Sequence, residues 1–255
     1  MYIDIHCHLD KCYYDNIDEV ILNANDNCVN KLIFNGCNLE SNNEVLDLIN
    51  KYEGVYGAIG FHPTELKNIK EEDYIFLEDN IKNNKIVAIG EIGLDYHYED
   101  TDRELQKKHF IRQLKLAQKY NLPVIVHSRD SIQETYNILK EYSVKGVLHC
   151  YSGSLEMARE FIKLGYYISV GGIVTFKNAK NIIEVIKGID LSYIMLETDS
   201  PYLTPEPYRK NKNEPMYVPV IANKIAEIKG VSVDMVRDVT TSNALGLFDF
   251  WLKSW

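Results

Sequence analysis

At 255 residues, with 45% hydrophobic and 25% charged residues, the chain has the composition of an ordinary globular protein, which excludes a disordered or fibrous class. Its formal net charge of −9 repels polyanions at long range, so nucleic-acid binding would need bound cations or a local basic cluster. Five cysteines without a Cys-x-x-Cys pair exclude a disulfide framework, and the lack of a membrane-length apolar run or an apolar N-terminus predicts a cytoplasmic protein with no membrane partner.

Eight short apolar runs rich in β-forming residues alternate with helix-like segments along the chain. The clearest helix lies between the fourth and fifth runs, over Arg103–Tyr120, where Thr101 or Asp102 is placed to cap its start and Asn121 follows its end. Strands that alternate with helices predict βα units and a parallel sheet. The predicted strands are Tyr2–Ile5, Lys31–Asn35, Val55–Ile59, Ile86–Gly90, Val124–Val126, Gly146–Leu148, Tyr167–Val170 and Tyr193–Leu196.

The eight successive βα units predict an α/β fold of the TIM-type (β/α)8 class, because such barrels close with eight strands and are usually about 250 residues long. We therefore predict one barrel domain over residues 1–255, with an open doubly wound sheet as the alternative architecture. No glycine-rich dinucleotide motif follows any of the strands, so no organic cofactor is expected.

The segment after the eighth strand is rich in proline, and it also carries Tyr202 and Arg209. Long loops are uncommon in compact domains unless they serve a function. The loop over residues 200–218 is therefore either a lid or rim that contacts substrate, or a solvated linker to the last helices.

His6 and His8 stand two residues apart at the end of the first strand. Because side chains alternate along a strand, both imidazoles face one side while Cys7 faces the other. The pair can therefore bind one metal ion, although a histidine on a strand is more commonly just a hydrogen-bonded polar group.

Further residues of ligand type occupy the same place in later units. Glu91 is expected to end the fourth strand, His127 the fifth, His149 the sixth and Asp199 the eighth. The carboxyl ends of barrel strands meet at one face, where the active sites of such barrels lie. Four histidines and two carboxylates at that face predict a site for two divalent metals, and imidazole ligands favour Zn²⁺ or Mn²⁺ over Mg²⁺.

A metal site of this kind indicates hydrolysis, because coordination lowers the pKa of water from about 15.7 toward about 7. Glu91 can bridge two ions with its two oxygens, and Asp199 can bind one ion and accept a proton from the attacking water. Both are therefore predicted catalytic residues. Glu197 is expected one layer below Asp199, as a carboxylate that supports the ligands without being one.

Other side chains near the strand ends are candidates for substrate contacts. His62 follows the third strand and either reaches the substrate or holds its own loop. Arg129 can donate paired hydrogen bonds to a phosphate or carboxylate of the substrate, or can pair with Asp130 instead. Tyr202 and Arg209 of the proline-rich loop complete the predicted substrate-binding residues.

Seven segments carry a wider pattern, and they are Asp4–Leu9, Gly90–Tyr96, His127–Asp130, His149–Ser154, Glu197–Leu203, Asn213–Pro215 and Asn243–Phe248. In this order, and spread over nearly the whole chain, they resemble the motifs of the TatD family of metal-dependent deoxyribonucleases. Ser131 and Tyr151 stand where that family often has Ala and Phe, and neither is a predicted ligand. The resemblance implies an amidohydrolase-like barrel with a pair of divalent metals.

The resemblance also divides the predicted ligands between the two metals, with His6, His8, Glu91 and Asp199 around one, and Glu91, His127 and His149 around the other. It implies DNA as the partner and cleavage of phosphodiester bonds by a 3′–5′ exonuclease. The alternative is a metal-dependent amide, ester or lactone hydrolase that acts on a small molecule, because the same constellation serves all of these reactions. A non-catalytic binding protein is disfavoured, since the candidate ligands are intact.

Overall fold

Eight parallel strands alternate with helices in the computed structural model of the protein, which describes residues 1–250. The strands are β1 Tyr2–Cys7, β2 Val29–Asn35, β3 Val55–Ile59, β4 Ile86–Asp95, β5 Val124–Arg129, β6 Gly146–Leu148, β7 Tyr166–Val170 and β8 Ile194–Leu196. The helices are α1 Ile17–Asp26, α2 Leu39–Lys51, α3 Glu71–Asn80, α4 Arg103–Tyr120, α5 Ile132–Leu139, α6 Leu155–Lys163, α7 Lys180–Gly188, α8 Val218–Lys229 and α9 Val233–Leu247. The predicted TIM-type (β/α)8 barrel is confirmed.

The strands follow one another around the sheet in chain order, β1 to β8, with every neighbouring pair parallel. The seam between β8 and β1 is bridged just beyond their ends. Asp199 donates its backbone N–H to the carbonyl oxygen of His6 at 2.9 Å, and His8 donates to that of Ser200 at 2.8 Å. The sheet is thus a nearly closed barrel, and the open doubly wound alternative is wrong, because its strand order would not be sequential.

Two apolar clusters hold this architecture. The larger one packs the outer faces of the strands against the helices, with Phe34, Phe110 and Phe161 among its fully buried side chains. The second joins residues from most of the strands to Phe248 and Phe250, which follow α9. Burial of apolar area at about 25 cal/mol per Å² makes these clusters the main favourable term in folding.

The helix α4 illustrates how local sequence determines the element bounds. The side chain of Asp102 accepts a hydrogen bond from the backbone N–H of Leu105, and Asn121 ends the helix in the left-handed conformation at φ 50°. An N-cap carboxylate satisfies an otherwise unpaired N–H, and asparagine tolerates positive φ better than most residues. The predicted bounds of this helix, Arg103–Tyr120, are confirmed.

Most predicted strands agree with the structure to within two residues at each end, but β4 is five residues longer than predicted. Its extension, from Glu91 to Asp95, pairs with β5 as far as Arg129. Glu91 therefore lies within β4 and not at its end. The prediction failed here because Gly93 and Asp95 are poor strand formers, and pairing with β5 overrides that preference.

The proline-rich loop is tied to the barrel by Asn213. Its side-chain amide donates a hydrogen bond to the carbonyl oxygen of Thr198 at 2.8 Å, and its backbone carbonyl oxygen accepts one from the hydroxyl of Tyr14 at 2.6 Å. A short 3-10 turn at Pro215–Tyr217 then leads into α8. Elsewhere in the fold, none of the helices within residues 1–250 combines the length and the apolar content needed to cross a membrane.

Candidate metal centre

The four histidines predicted as ligands surround the carboxylate of Glu91, two at each of its oxygens, and a fifth imidazole, that of His62, also approaches Oε1. The Oε1 atom lies 2.9 Å from Nδ1 of His127 and 2.8 Å from Nε2 of His149. The Oε2 atom lies 3.4 Å from Nε2 of His6 and 3.7 Å from Nε2 of His8. A buried carboxylate that faces one histidine pair on each side has the arrangement of a ligand shared by two cations.

Asp199 adds a second carboxylate on the side of His6 and His8. Its Oδ1 atom lies 3.5 Å from Nε2 of His6 and 3.6 Å from Nε2 of His8. Asp199 follows β8, while His6 belongs to β1 and His8 follows it, so these side chains meet across the seam. The six predicted ligands therefore come together at one end of the barrel.

The facing nitrogen atoms are better suited to binding a metal than to forming hydrogen bonds with one another. Nε2 of His6 faces Nε2 of His8 at 3.2 Å, and Nδ1 of His127 faces Nε2 of His149 at the same distance. A pair of facing imidazole nitrogens needs one proton between them, whereas neutral imidazoles turned toward a common point suit a divalent cation. Among the described residues, three overlapping groups could hold one: His6, His149 and Asp199; His6, His8 and Glu91; and His62, Glu91 and His127. These groups place His149 with His6, and not with His127 as the resemblance implies.

Supporting contacts orient the imidazoles. Nδ1 of His8 lies 3.0 Å from the carbonyl oxygen of Asn35, and Nε2 of His127 lies 3.0 Å from Oδ2 of Asp95. Nδ1 of His149 is not held in this way, because it lies 3.8 Å from Oε1 of the fully buried Glu197 and has no hydrogen-bond partner within the described residues. Groups that hold the second nitrogen of a histidine fix which nitrogen remains free for a metal.

An irregularity in β4 turns Glu91 toward these histidines. The pairing of β4 with β5 shifts register between Ile89 and Ile92, as in a β-bulge. Bulges re-aim side chains next to active sites because they break the strict alternation of a strand. The backbone N–H of Glu91 donates to the carbonyl oxygen of Gly36 at 3.0 Å, which holds the turned segment against β2.

The surroundings also set the protonation of the site. Burial raises the pKa of Glu91, but the neighbouring His149, His62 and His6 outweigh it and hold that pKa well below its usual range. Burial, together with the neighbouring His149, lowers the pKa of His6 to about 4. At neutral pH Glu91 is ionised and His6 is neutral, and these are the forms that bind metals. Burial lowers the pKa of His149, but Glu91 outweighs it and raises that pKa to about 9, so a metal that binds His149 displaces a proton.

A cavity of about 620 Å³ opens above the carboxylates, and it is lined by three of the four predicted substrate-binding residues, His62, Arg129 and Tyr202. Nε2 of His62 lies 3.5 Å from Oε1 of Glu91, so this ring is as close to the centre as several predicted ligands. Arg209 does not line the cavity. Its guanidinium lies 4.1 Å from the ring centroid of Phe176 and donates to the carbonyl oxygen of Thr204 at 2.9 Å.

Arg129 is not paired with Asp130, the alternative partner considered above. Asp130 lies 3.0 Å from Nδ1 of His97 instead. The guanidinium of Arg129 has no ion-pair partner within the described residues, and it lies 5.9 Å from the ring centroid of Tyr98. Arg129 is also the one lysine or arginine among the residues that line the cavity, so it is available to an anionic substrate group.

Several residues near the centre were absent from the predicted set. The Sγ atom of Cys37 lies 3.8 Å from Oε2 of Glu91, and Tyr13 and Tyr98 line the cavity from loops. Asp95 belongs to the Gly90–Tyr96 motif, and this was the one signal that could have singled it out. The loop residues carry no periodic pattern from which their direction could be read.

Known protein families and sequences are similar to this chain over nearly its whole length. The sequence model of the family described as TatD related DNase matches residues 3–249. YabD of Bacillus subtilis, described as an uncharacterized metal-dependent hydrolase, is 41% identical over 252 residues, which cover 97% of this chain and 99% of YabD. TATDN3 of the mouse, whose name includes the word deoxyribonuclease, is 34% identical over 261 residues, with 96% of this chain and 87% of TATDN3 covered.

Solved structures agree with the sequence comparison. The crystal structure of YjjV, a TatD homologue from Escherichia coli, matches this chain with a TM-score of 0.93 at 32% identity. The match covers 97% of this chain and 98% of YjjV. The similarity therefore extends over the whole barrel and includes every strand that carries a predicted ligand.

Proposed function

The chain belongs to the TatD family of metal-dependent hydrolases, and from that premise we propose that it is a deoxyribonuclease that removes nucleotides from the 3′ end of DNA. The observation that carries the proposal is the carboxylate of Glu91, which faces one histidine pair at each oxygen. Centres with two adjacent cations are common among enzymes that cleave phosphoesters. The word deoxyribonuclease in the name of the mouse relative supports DNA as the substrate.

We assign two divalent metals to the centre. One would be held by His6, His8, Glu91 and Asp199, and the other by Glu91, His127 and His149. The mixture of imidazole and carboxylate ligands favours Zn²⁺ or Mn²⁺, with Mg²⁺ as the third candidate. When bound, such a pair lowers the pKa of water enough to supply a nucleophile at neutral pH.

The chain's own groups then have separate tasks in hydrolysis. Burial raises the pKa of Asp199, but the hydrogen bond with His8 and the nearby His149 outweigh it and hold that pKa below its usual value. Asp199 is thus ionised before the reaction and accepts a proton from the attacking water. The oxygen of that water bonds to phosphorus, the P–O bond to the next nucleotide breaks, and the departing oxygen takes up the proton that Asp199 accepted.

The substrate contacts follow from the cavity. We assign Arg129 as the contact for a phosphate, because its guanidinium has no ion-pair partner within residues 1–250 and can donate two hydrogen bonds to phosphate oxygens. His62 and Tyr202 contact the nucleotide nearest the metals. Arg209 lies outside the cavity, so it could contact only a DNA strand that extends beyond the cavity.

The deciding experiment follows nucleotide release from 3′-labelled and 5′-labelled single-stranded DNA with Mg²⁺, Mn²⁺ or Zn²⁺. We expect metal-dependent release from the 3′ end that is abolished by a chelator and reduced at least ~100-fold in Asp199→Ala. Tyr193→Ala serves as the control, because Tyr193 is an exposed residue immediately before β8 and its loss should leave activity unchanged. No release from protein with metal demonstrably bound would overturn the proposal.

The acidic lining of the cavity favours a second candidate. Asp10, Glu40, Glu44 and Glu65 all line it, and such a wall suits a small uncharged or cationic substrate better than a polyanion. An amide, ester or lactone hydrolase with the same nucleophile is therefore the alternative. A panel of such substrates, tested with the same metals and the same Asp199→Ala variant, distinguishes the two.

A further inference from the structure

Aromatic side chains line the cavity on opposite sides of the metal centre. Tyr13 follows β1 and Tyr202 follows β8, while Tyr98 follows β4 next to Arg129 at the end of β5. In a barrel whose eight strands run in order, β1 and β5 lie on opposite sides. The cavity therefore has two aromatic walls, and only the wall beside β5 carries a guanidinium.

The tyrosines of the first wall hold each other in a fixed orientation. Their hydroxyl groups are joined by a hydrogen bond of 2.6 Å, and their rings meet edge to face at a centroid distance of 5.7 Å. Tyr202 nevertheless remains 48% exposed, so its ring is oriented without being covered. An exposed aromatic ring that is already ordered loses little conformational entropy when a flat ligand stacks on it.

Tyr202 is also the aromatic residue of this wall that lies next to the metal ligands. Its backbone N–H donates to the carbonyl oxygen of Asp199 at 3.0 Å. Its ring centroid lies 6.3 Å from that of His8. A group stacked on Tyr202 is therefore about one nucleotide away from the position at which the metals would act.

The charges of the cavity decide which part of a nucleotide binds at which wall. Asp10 lies three residues before Tyr13, and Glu44 accepts a hydrogen bond of 2.8 Å from the backbone N–H of Lys11 in the same loop. These carboxylates repel a phosphate, whereas Arg129 on the opposite side attracts one. The ammonium group of Lys212 donates to the backbone carbonyl oxygen of Tyr13 and does not line the cavity, so it does not offset them there. The uncharged base, and not the phosphate, suits the wall of Tyr13 and Tyr202.

We propose that Tyr202, oriented by Tyr13, is the stacking platform for the base of the terminal nucleotide. The assignment rests on the proposed nuclease function and adds a specificity-determining residue to it. A terminal nucleotide without a base loses this contact, and it is cleaved roughly 10- to 100-fold less efficiently.

The test compares two single-stranded oligonucleotides that differ only in whether the 3′-terminal nucleotide carries thymine or is a tetrahydrofuran abasic analogue. The kcat/KM for terminal cleavage is measured for both with the wild-type enzyme, Tyr202→Ala and Tyr202→Phe. The wild type should prefer the base by roughly 10- to 100-fold, and Tyr202→Phe, which keeps the ring but loses the hydrogen bond to Tyr13, should keep part of that preference. In Tyr202→Ala the preference should fall to about one, because ring and base contribute through the same contact.

The exposed Tyr193 at the opposite end of the barrel provides the matched control, since Tyr193→Ala removes an equally large ring and should leave the preference intact. An unchanged preference in Tyr202→Ala would overturn the platform, and so would a wild-type enzyme that cleaves both oligonucleotides equally well.

Binding of the same two oligonucleotides, measured by fluorescence anisotropy in the presence of Mn²⁺, separates this inference from the proposed function. If the wild type cleaves neither oligonucleotide but binds the one with the base more tightly, and Tyr202→Ala removes that difference, the platform stands and the nuclease proposal falls. If the wild type cleaves both oligonucleotides, and its affinity and kcat/KM are the same with and without the terminal base, the nuclease proposal stands and the stacking platform is ruled out.

Discussion

Asp95 shows at the residue scale how a side chain that is not a predicted ligand can determine the geometry of the centre. It is 2% exposed, and its Oδ2 atom lies 3.0 Å from Nε2 of His127. Its Oδ1 atom accepts the backbone N–H of His97 at 3.0 Å, which fixes the carboxylate itself. Nδ1 of His127 is thereby left to face Glu91.

We expect Asp95→Asn to weaken metal binding roughly 10- to 100-fold, because the imidazole loses the carboxylate that fixes its tautomer and orientation. Titration calorimetry with Mn²⁺ or Zn²⁺ on metal-stripped protein measures the change. Asp130→Asn is the matched control, since that exposed carboxylate contacts His97 and not a predicted ligand. Equal affinities in wild type and Asp95→Asn would show that His127 needs no such support.

Arg129 allows a second prediction at this scale. Arg129→Ala should raise the KM for single-stranded DNA by roughly 10-fold or more with a smaller effect on kcat, because one charge-assisted contact to phosphate is lost. Arg129→Lys should recover only part of the affinity, since an ammonium cannot donate a bidentate pair. Arg209→Ala should have a smaller effect than Arg129→Ala, and the reverse order would mean that the strand crosses the proline-rich loop.

The predicted ligands could be found from the sequence because each lies on or just after a strand of a barrel whose carboxyl ends converge. The structure brings His6, His8, Glu91, His127, His149 and Asp199 together as that rule requires. The residues on loops were not accessible to the same rule. The orientation of Tyr13 in the cavity involves a hydrogen bond between its hydroxyl and that of Tyr202, a contact between residues 189 positions apart.

At the scale of elements, β4 departs most from what its sequence indicates. The strict alternation of a strand cannot place Glu91 correctly, because the register shifts between Ile89 and Ile92. Gly93 follows in a left-handed conformation at φ +149°, packed against the backbone of His127 on β5. Irregular backbone of this kind depends on contacts between strands, and local sequence patterns do not contain them.

Gly93→Ala tests this packing. A Cβ atom there would overlap the backbone oxygen of His127, and the conformation itself is unfavourable for alanine. We expect the free energy of unfolding, measured by urea denaturation, to fall by at least about 2 kcal/mol. Gly230→Ala separates the two causes, because its φ is also positive at +67° but nothing lies within 4 Å of the added carbon. A loss no larger than that of Gly230→Ala would rule out the overlap.

At the scale of the whole molecule, the predicted ligands join elements that are far apart in sequence. They belong to or follow β1, β4, β5, β6 and β8, so a bound metal would connect most of the barrel. The overall (β/α)8 order could be predicted because helices and strands alternate regularly. The contact between β8 and β1 could not be predicted, because β8 has only three residues and its link to β1 is made by the residues that follow it.

Metal binding should therefore stabilise the whole fold. Saturation at about 100 times Kd adds about 2.7 kcal/mol to the free energy of unfolding. For a protein of this size, that corresponds to a rise in Tm of roughly 5–10 °C. Differential scanning fluorimetry of chelator-treated protein with and without Mn²⁺ or Zn²⁺ measures the shift, and His149→Ala should reduce it. A Tm that does not respond to any of these ions would contradict the prediction that metal binding stabilises the fold.

The seam also sets the order of events when the protein is made. His6 and His8 are synthesised well before Asp199, whose backbone N–H donates to the carbonyl oxygen of His6. A nascent chain that ends before β8 lacks both this ligand and the hydrogen bonds that link β8 to β1. A metal that needs Asp199 as well as His6 and His8 could therefore bind only after β8 and the residues that follow it have been translated.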